Sequence, residues 1–309
     1  MRCKNDLSYV PVPAMRGMKG LVFLLVFLGA LCCTAGCIFF GPHPSYQVSA
    51  AGDLSLTVPN PSIQEDIIST QDSITVSHLS FQNIDEPVYV IFATPAHPRA
   101  AIILAPGAGV KKEGHQLRAE EYARAGIAMA VLDVRGNGGE TAGTPLDIEG
   151  DFGRFKEGAW PQYYAIVADM IAMREFLASR YQVPIYAMGE SNGGRYAAIA
   201  AGSDKNFNGY IGVSTSGFGL IGNRYSGDAK RFLLSIDPDR AIAAVSPGPT
   251  LLFHAPNDTI IPYKDGRALF DHAQEPKMFW NLSTGHGLND EADQKIIEYL
   301  LNFNVLEQQ

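Results

Sequence analysis

"PIYAMGESNGGRYAAIAAG" spans Pro184 to Gly202. Ile185, Tyr186, Ala187 and Met188 form an apolar run of strand character, and a small-residue helical pattern starts at Asn192. Between them, Gly189-Glu190-Ser191-Asn192-Gly193 leaves no space for a loop. So abrupt a turn from strand to helix crowds the residue at its corner, and glycine two positions away on either side relieves the crowding. The pattern is G-x-S-x-G, which holds a serine hydroxyl out from the backbone at the end of a buried strand. The flanking strand and helix favour a nucleophile at Ser191 over an incidental serine in an ordinary turn.

Outward from this corner, strand and helix patterns alternate. Ser73 to Gln82 and Val88 to Thr94 alternate apolar and polar residues, which predicts an opening antiparallel pair. Ala100–Gly107 and Ile127–Gly136 are continuous apolar runs, each ending in glycine, as strands buried on both faces require. Gln116 to Ala125 reads as the helix between them, and Trp160 to Arg180 as a long helix with Tyr164, Val167, Ile171 and Phe176 on one side. Gly209–Gly217, Pro249–Asp258 and Pro276–Thr284 are further strands, with helices over Arg267 to His272 and Asp293 to Asn304. Repeated strand–helix units need parallel pairing, so the predicted class is α/β: a single doubly wound, mostly parallel sheet with helices on both faces and antiparallel N-terminal strands. The stretch between Ser191 and Asp258 is already filled by elements, so only a minimal lid is expected, from Gly217–Phe232 and the loop Gly136 to Trp160.

A serine is a poor nucleophile at neutral pH until a base takes its proton and a third group orients the base. Of the seven histidines, His286 lies in "STGHGLND", a tight glycine-flanked loop after the last predicted strand, where ligands bind in such sheets. Asp258 closes the strand run of "TLLFHAPNDTIIP". The order Ser191, Asp258, His286 is that of a strand–turn–helix serine triad. His254 falls within the same strand and reads as a residue that shapes the loop. Asp237 and Asp290 are poorly placed rival acids.

The third requirement is an oxyanion hole, built from the N–H after the nucleophile and one from an earlier strand-to-helix loop. Asn192 supplies the first, and Ala108 of "LAPGAGVKKEGH" the second. A dinucleotide-binding loop is excluded by spacing, since Gly107, Gly109 and Gly114 do not give G-x-G-x-x-G. The chemistry calls for no metal and no organic cofactor.

The remaining composition sets limits. The chain has 309 residues and a formal net charge of -8, without the basic footprint of a nucleic-acid binder. All four cysteines, Cys3, Cys32, Cys33 and Cys37, precede the predicted domain, so its body has neither a disulfide framework nor a Cys-based metal site. Arg16 and Lys19 precede the apolar run Leu21 to Leu31, and "TAGC" follows; this is the order of an export signal. The expected organisation is a signal peptide over 1–37, a Pro-, Ser- and Asn-rich tether over 38–70 and one domain over 71–309. "TAGC" resembles the lipobox of prokaryotic lipoproteins, with Thr34 where leucine is usual, and would place a lipid on Cys37. An uncleaved apolar anchor and a plainly secreted form stay open beside it, so the expected location is the cell envelope or a membrane surface.

Taken together, "APGAG", "LDVRGNGGE", "GESNGG", "LLFHAPNDTIIP" and "GHG" resemble motifs of the α/β-hydrolase superfamily, in its dienelactone hydrolase and prolyl oligopeptidase-like branch, from Ser73 to the C-terminus. Pro106 stands where relatives carry a histidine, and Ala255 where glycine is usual. The resemblance implies acyl transfer to water: Ser191 attacks a carbonyl, His286 moves the proton, Asp258 holds the imidazolium, and an acyl-enzyme is hydrolysed. The expected substrate is a small-molecule, short-chain carboxylic ester. Phe152, Trp160, Tyr163, Phe218 and Tyr225 are candidates to line its pocket, and Arg135 and Arg195 to meet a substrate anion; packing and salt bridges are the competing roles. A peptidase or amidase of the prolyl oligopeptidase type, and a non-catalytic binding lipoprotein on the same scaffold, remain as alternatives. The sequence is silent on oligomeric state.

Overall fold

The computed structural model describes residues 43–306 except Thr284. The expected signal peptide and the Cys37 lipidation site lie outside the described residues. Among the described residues, no helix is long and apolar enough to cross a membrane. The strands are β1 (Ser45–Val48), β2 (Leu54–Thr57), β3 (Ile63–Gln71), β4 (Ile74–Asn83), β5 (Glu86–Pro95), β6 (Ala100–Ala105), β7 (Ile127–Leu132), β8 (Ile185–Glu190), β9 (Gly209–Val213), β10 (Thr250–His254) and β11 (Lys277–Asn281). The helices are α1 (Gln116–Arg124), α2 (Ile148–Lys156), α3 (Gln162–Arg180), α4 (Asn192–Ser203), α5 (Gly227–Ser235), α6 (Pro238–Ala241), α7 (Tyr263–His272) and α8 (Asp290–Leu306).

Nine strands form the main sheet in the order β11-β10-β9-β8-β6-β7-β5-β4-β3. From β7 to β11 every pairing is parallel, whereas β3, β4 and β5 join antiparallel to their neighbours and to β7. The chain order therefore reverses beside β6 and β8, and Ser191 follows β8 at that point, where a crevice opens outside the carboxyl ends of the strands. The predicted class holds.

The apolar runs are explained by burial on both faces. Every residue of β6 and β7 is buried. Alternate positions feed two cores, as the strand period of two demands. Ile102, Leu104, Met129 and Met188 meet α1 and α8 through Tyr122 and Ile296. Ala101, Ile103, Ala130 and Ala187 belong to the core under α3 and α4, with Met170 and Ala197.

The expected tether is corrected by the structure. Residues 38–70 hold β1, β2 and nearly all of β3; β1 and β2 pair as a separate two-stranded antiparallel sheet, and β3 forms one edge of the main sheet. The Tyr46 ring anchors the segment, 5.1 Å from Trp160 and 5.0 Å from Tyr164 between centroids. Val48 and Leu54 are buried beside it. Large aromatic rings contribute most to such a contact, so one tyrosine among small polar residues suffices to dock the strand.

Helix α3 is buried along both sides from Tyr163 to Arg174, beyond the single stripe that its pattern suggested. A helix so enclosed must pair its charges. Asp169 accepts from Arg135 at 2.7 and 2.9 Å and from Asn83 at 2.7 Å, and Arg174 pairs with Asp204. The Asp151 carboxylate of α2 caps the α3 N-terminus, accepting from the N–H groups of Gln162 and Tyr163 at 2.7 and 2.9 Å. Arg135 is thus a structural ion-pair partner. Removing one side of a buried pair strands the other charge, so Asp169→Ala should cost about 3–5 kcal/mol in urea unfolding. Asp228→Ala, at the exposed pair with Arg231, should cost less than about 1 kcal/mol. Equal losses at the two sites would refute the assignment.

Candidate active site

Ser191 sits between β8 and α4 with φ 52° and ψ -120°, a region that costs a non-glycine residue on the order of 1–3 kcal/mol. The corner is tight enough that a Cβ on Gly189 would overlap the Gly193 backbone, and one on Gly193 would overlap the Ala105 carbonyl. Hydrogen bonds hold it from below. The Ser191 N–H donates to Val213 O at 2.9 Å, and Thr215 Oγ1 donates to Ser191 O at 2.7 Å. Asn192 opens α4, so its N–H is one of the first-turn donors that a helix leaves free.

The loop after β6 lies over this corner, since a Cβ on Gly107 would come 3.5 Å from Ser191 Cβ. Asn137, from the loop after β7, grips it. Its Nδ2 donates to Gly107 O and Val110 O, each at 2.9 Å, and its Oδ1 accepts from the Gly109 N–H at 3.2 Å. The N–H of Ala108 makes no hydrogen bond among the described residues. Sequence reading named Ala108 but overlooked Asn137, whose only signal was its place in "DVRGNGGE".

His286 and Asp258 meet directly, with Nδ1 at 2.8 Å from Oδ2. Asp258 Oδ1 accepts from the N–H groups of Ile260 and Ile261 at 2.8 and 3.0 Å. Burial pushes the Asp258 carboxyl up, but these bonds outweigh it and hold the group below the usual carboxylate range. His254 is buried, bonds Ile261 O through Nε2 at 2.9 Å and approaches Asp258 Oδ2 at 3.3 Å, so it braces the acid's loop as expected. The rival acids serve elsewhere. Asp237 accepts from Phe218 N–H in the β9–β10 insertion, and Asp290 opens α8.

The His286 loop is fastened beside the serine corner: Gly287 N–H donates to Ser214 Oγ at 3.0 Å, and the Leu288 N–H approaches the Glu190 carboxylate. Ser214 is itself buried with φ 50°, directly after β9. Nothing in the sequence singled it out.

The expected pocket residues fare less well. Tyr163 is fully buried against Tyr196, Phe152 packs on Phe232, and Trp160 meets Tyr46. Phe218 lies under Arg195, whose guanidinium is 4.8 Å from the ring centroid and also donates to Ser216. Tyr225 is exposed. Trp160 and Arg135 do line a cavity of about 480 Å³ beside the β4–β5 turn, together with Glu86, Arg154 and Gln162. Away from the corner, His78, Glu113 and Glu140 place ligand atoms within 4.8 Å of one another. The buried Lys112 ammonium sits 2.6 Å from Glu113 and 2.5 Å from Glu140, so this cluster already has its cation.

The family model described as "Serine aminopeptidase, S33" matches residues 96–220, which include the corner and the loop over it. Asp258 and His286 lie beyond the match. The chain is 25% identical over 256 residues to the uncharacterized protein YfhR of Salmonella typhi, covering 78% of this chain and 80% of that one. In three dimensions it resembles an acetyl xylan esterase from Paenibacillus sp. R4, with TM-score 0.66 and 19% identity, over 79% of this chain and 89% of that one. A glucuronoyl esterase from Solibacter usitatus gives TM-score 0.56 at 12% identity, over 84% and 89%. Over residues 96–220 the chain is thus similar to that family, and its fold is similar to that of these esterase structures.

A second histidine is embedded behind the serine corner. His115 is buried, and burial together with the nearby Arg118 guanidinium lowers its pKa to about 4. Between 6.5 and 4 the unfolded chain binds a proton there that the folded chain refuses, so stability must fall as pH drops through that window. The slope is about 1.4 kcal/mol per pH unit, or about 3 kcal/mol in all. The stability of wild type relative to His115→Leu, from urea unfolding, should therefore fall by about 3 kcal/mol as pH drops from 6.5 to 4. A difference that stays constant would show that His115 protonates equally in both states.

Proposed function

We propose that this protein hydrolyses carboxylic esters of small molecules, short acyl chains foremost, through Ser191, His286 and Asp258. The observation that carries this reading is the 2.8 Å contact between His286 Nδ1 and Asp258 Oδ2, on a loop tied to the corner of a strained serine. With its Nδ1 proton on the carboxylate, the ring offers Nε2 as an acceptor. Ser191 Oγ adds to the ester carbonyl as its proton passes to Nε2. The Ala108 and Asn192 N–H groups receive the developing oxyanion, with the N-terminus of α4 adding favourable potential. Collapse breaks the ester C–O bond, the imidazolium protonates the leaving alcohol, and an acyl-Ser191 remains. Water, deprotonated by His286, reverses the sequence and releases the acid. The esterase names of the structural neighbours support ester substrates.

The S33 description favours a second reading, amide hydrolysis. A p-nitrophenyl ester series from acetate to decanoate, run beside aminoacyl p-nitroanilides, separates the two. Turnover should peak at short acyl chains. Ser191→Ala and His286→Ala should each lower kcat by roughly 10⁶-fold, to background, with a fluorophosphonate labelling wild type alone. Mutants that turn over like wild type would refute the triad, and faster anilide turnover would install the peptidase reading.

Residues 1–37 we read as an export signal with Cys37 as the lipid-bearing residue. The full chain expressed in a bacterial host should fractionate with membranes and take up a tagged fatty acid, and Cys37→Ala should do neither. Uptake that survives the substitution would rule out Cys37 as the attachment site.

A further inference from the structure

Glu190 ends β8, one residue before Ser191, and its side chain is only 14% exposed. Among the described residues it has no lysine or arginine within 4.0 Å, and its sole ion-pair contact is His115. A carboxylate withdrawn this far from water needs hydrogen-bond donors to hold it. One is the Leu288 N–H, two residues after His286. Behind the carboxylate stands a second polar group, within ion-pair distance of it but not hydrogen-bonded to it. His115 Nε2 is 3.4 Å from Glu190 Oε2, and the Arg118 guanidinium donates to His115 Nδ1, which places the ring proton on Nε2, on the Glu190 side of the ring. Arg118 is fixed in turn by Asp293 of α8, with Nε at 2.9 Å from Oδ2.

Space on the other side is kept by two glycines. A Cβ on Gly287 would come 3.2 Å from Glu190 Oε1, and one on Gly107 would come 3.4 Å from the same atom. Gly287 also has φ +97°, so the loop needs glycine there for its backbone as well as for its clearance. The carboxylate therefore lies between the loop that bears His286 and the loop that bears Ala108, while its own backbone leads into Ser191. Among these three parts of the site, one side chain touches two and is bonded to the third.

We propose that Glu190 is a positioning residue whose carboxylate, backed by His115 and Arg118, accepts the Leu288 N–H and holds the His286 loop in register with Ser191 and the Ala108 loop. This rests on the triad reading above, but its test has an arm that does not. Two variants of nearly equal size separate the contributions: Glu190→Met removes the acceptor, and Glu190→Gln keeps one. In Glu190→Met, kcat for a short-chain ester should fall by about 10–100-fold with KM within about threefold, because a small misplacement of a catalytic group acts on the reacting geometry more than on binding. Glu190→Gln should recover at least about tenfold of a hundredfold loss. In parallel, amide hydrogen exchange at Gly287 and Leu288 should be slow in wild type and in Ser191→Ala, at least about tenfold faster in Glu190→Met, and intermediate in Glu190→Gln.

Unprotected exchange at Leu288 in wild type would overturn the proposal whether or not the Met variant folds. So would unchanged exchange in Glu190→Met, or equal kcat losses in the Met and Gln variants, which would assign the effect to charge instead of the acceptor. If wild type hydrolyses no ester or anilide, the triad reading fails by itself. Exchange at Leu288 then still decides whether Glu190 holds the loop.

Discussion

The backbone at Ser191 is the constraint around which the rest is arranged. A serine at φ 52° is unfavourable in an isolated chain, and it persists only where its surroundings over-determine it. Here β8 is buried between β6 and β9, α4 packs against the sheet at once, and Thr215 and Val213 take up the polar groups of the corner. The small residues of α4 follow from the same demand: a helix that starts where the strand stops must approach the sheet closely. Gly189, Gly193 and the alanine-rich helix are thus one solution to a single steric problem.

Around that corner, function depends on loops from distant parts of the chain reaching the same edge of the sheet. Loops are ordinarily mobile, and a catalytic site needs them fixed to within a fraction of an ångström. The structure meets this with polar side chains that are spent on backbone. Asn137 makes three hydrogen bonds to the loop of Ala108, and Ser214 takes the N–H of Gly287. Asp258 accepts two N–H groups of its own loop besides the imidazole. Each such bond has a modest net effect on stability, yet without it a half-buried N–H or C=O would be left unpaired.

Strands β4 to β11 and the main helices were legible because burial on two faces, or on one, writes itself into apolar runs and alternation. The Ser191 corner and the ordering of Asp258 and His286 were legible because strain and strand ends restrict residue choice. What escaped was held by tertiary contact. In β1, Tyr46 is one aromatic residue among small polar ones, and its partners Trp160 and Tyr164 lie far along the chain. Arg135 carries the same side chain whether it meets a substrate or Asp169, and only the fold brings α3 beside it. Asn137 and Ser214 act through backbone atoms of other loops, for which residue type is a weak sign.

Two histidines illustrate how placement alone assigns opposite work to one side chain. His286 is 22% exposed and has a carboxylate at Nδ1, so a positive ring is compensated there. His115 is 6% exposed and has a guanidinium at Nδ1, so a positive ring is opposed by burial and by charge alike. The first environment suits a general base; the second fixes a single tautomer over the whole neutral range. A group that does not titrate near pH 7 is what a support for Glu190 requires, since a proton lost or gained behind that carboxylate would disturb the loop in front of it. The buried histidine is fitted to that post by the same physics that excludes it from proton transfer.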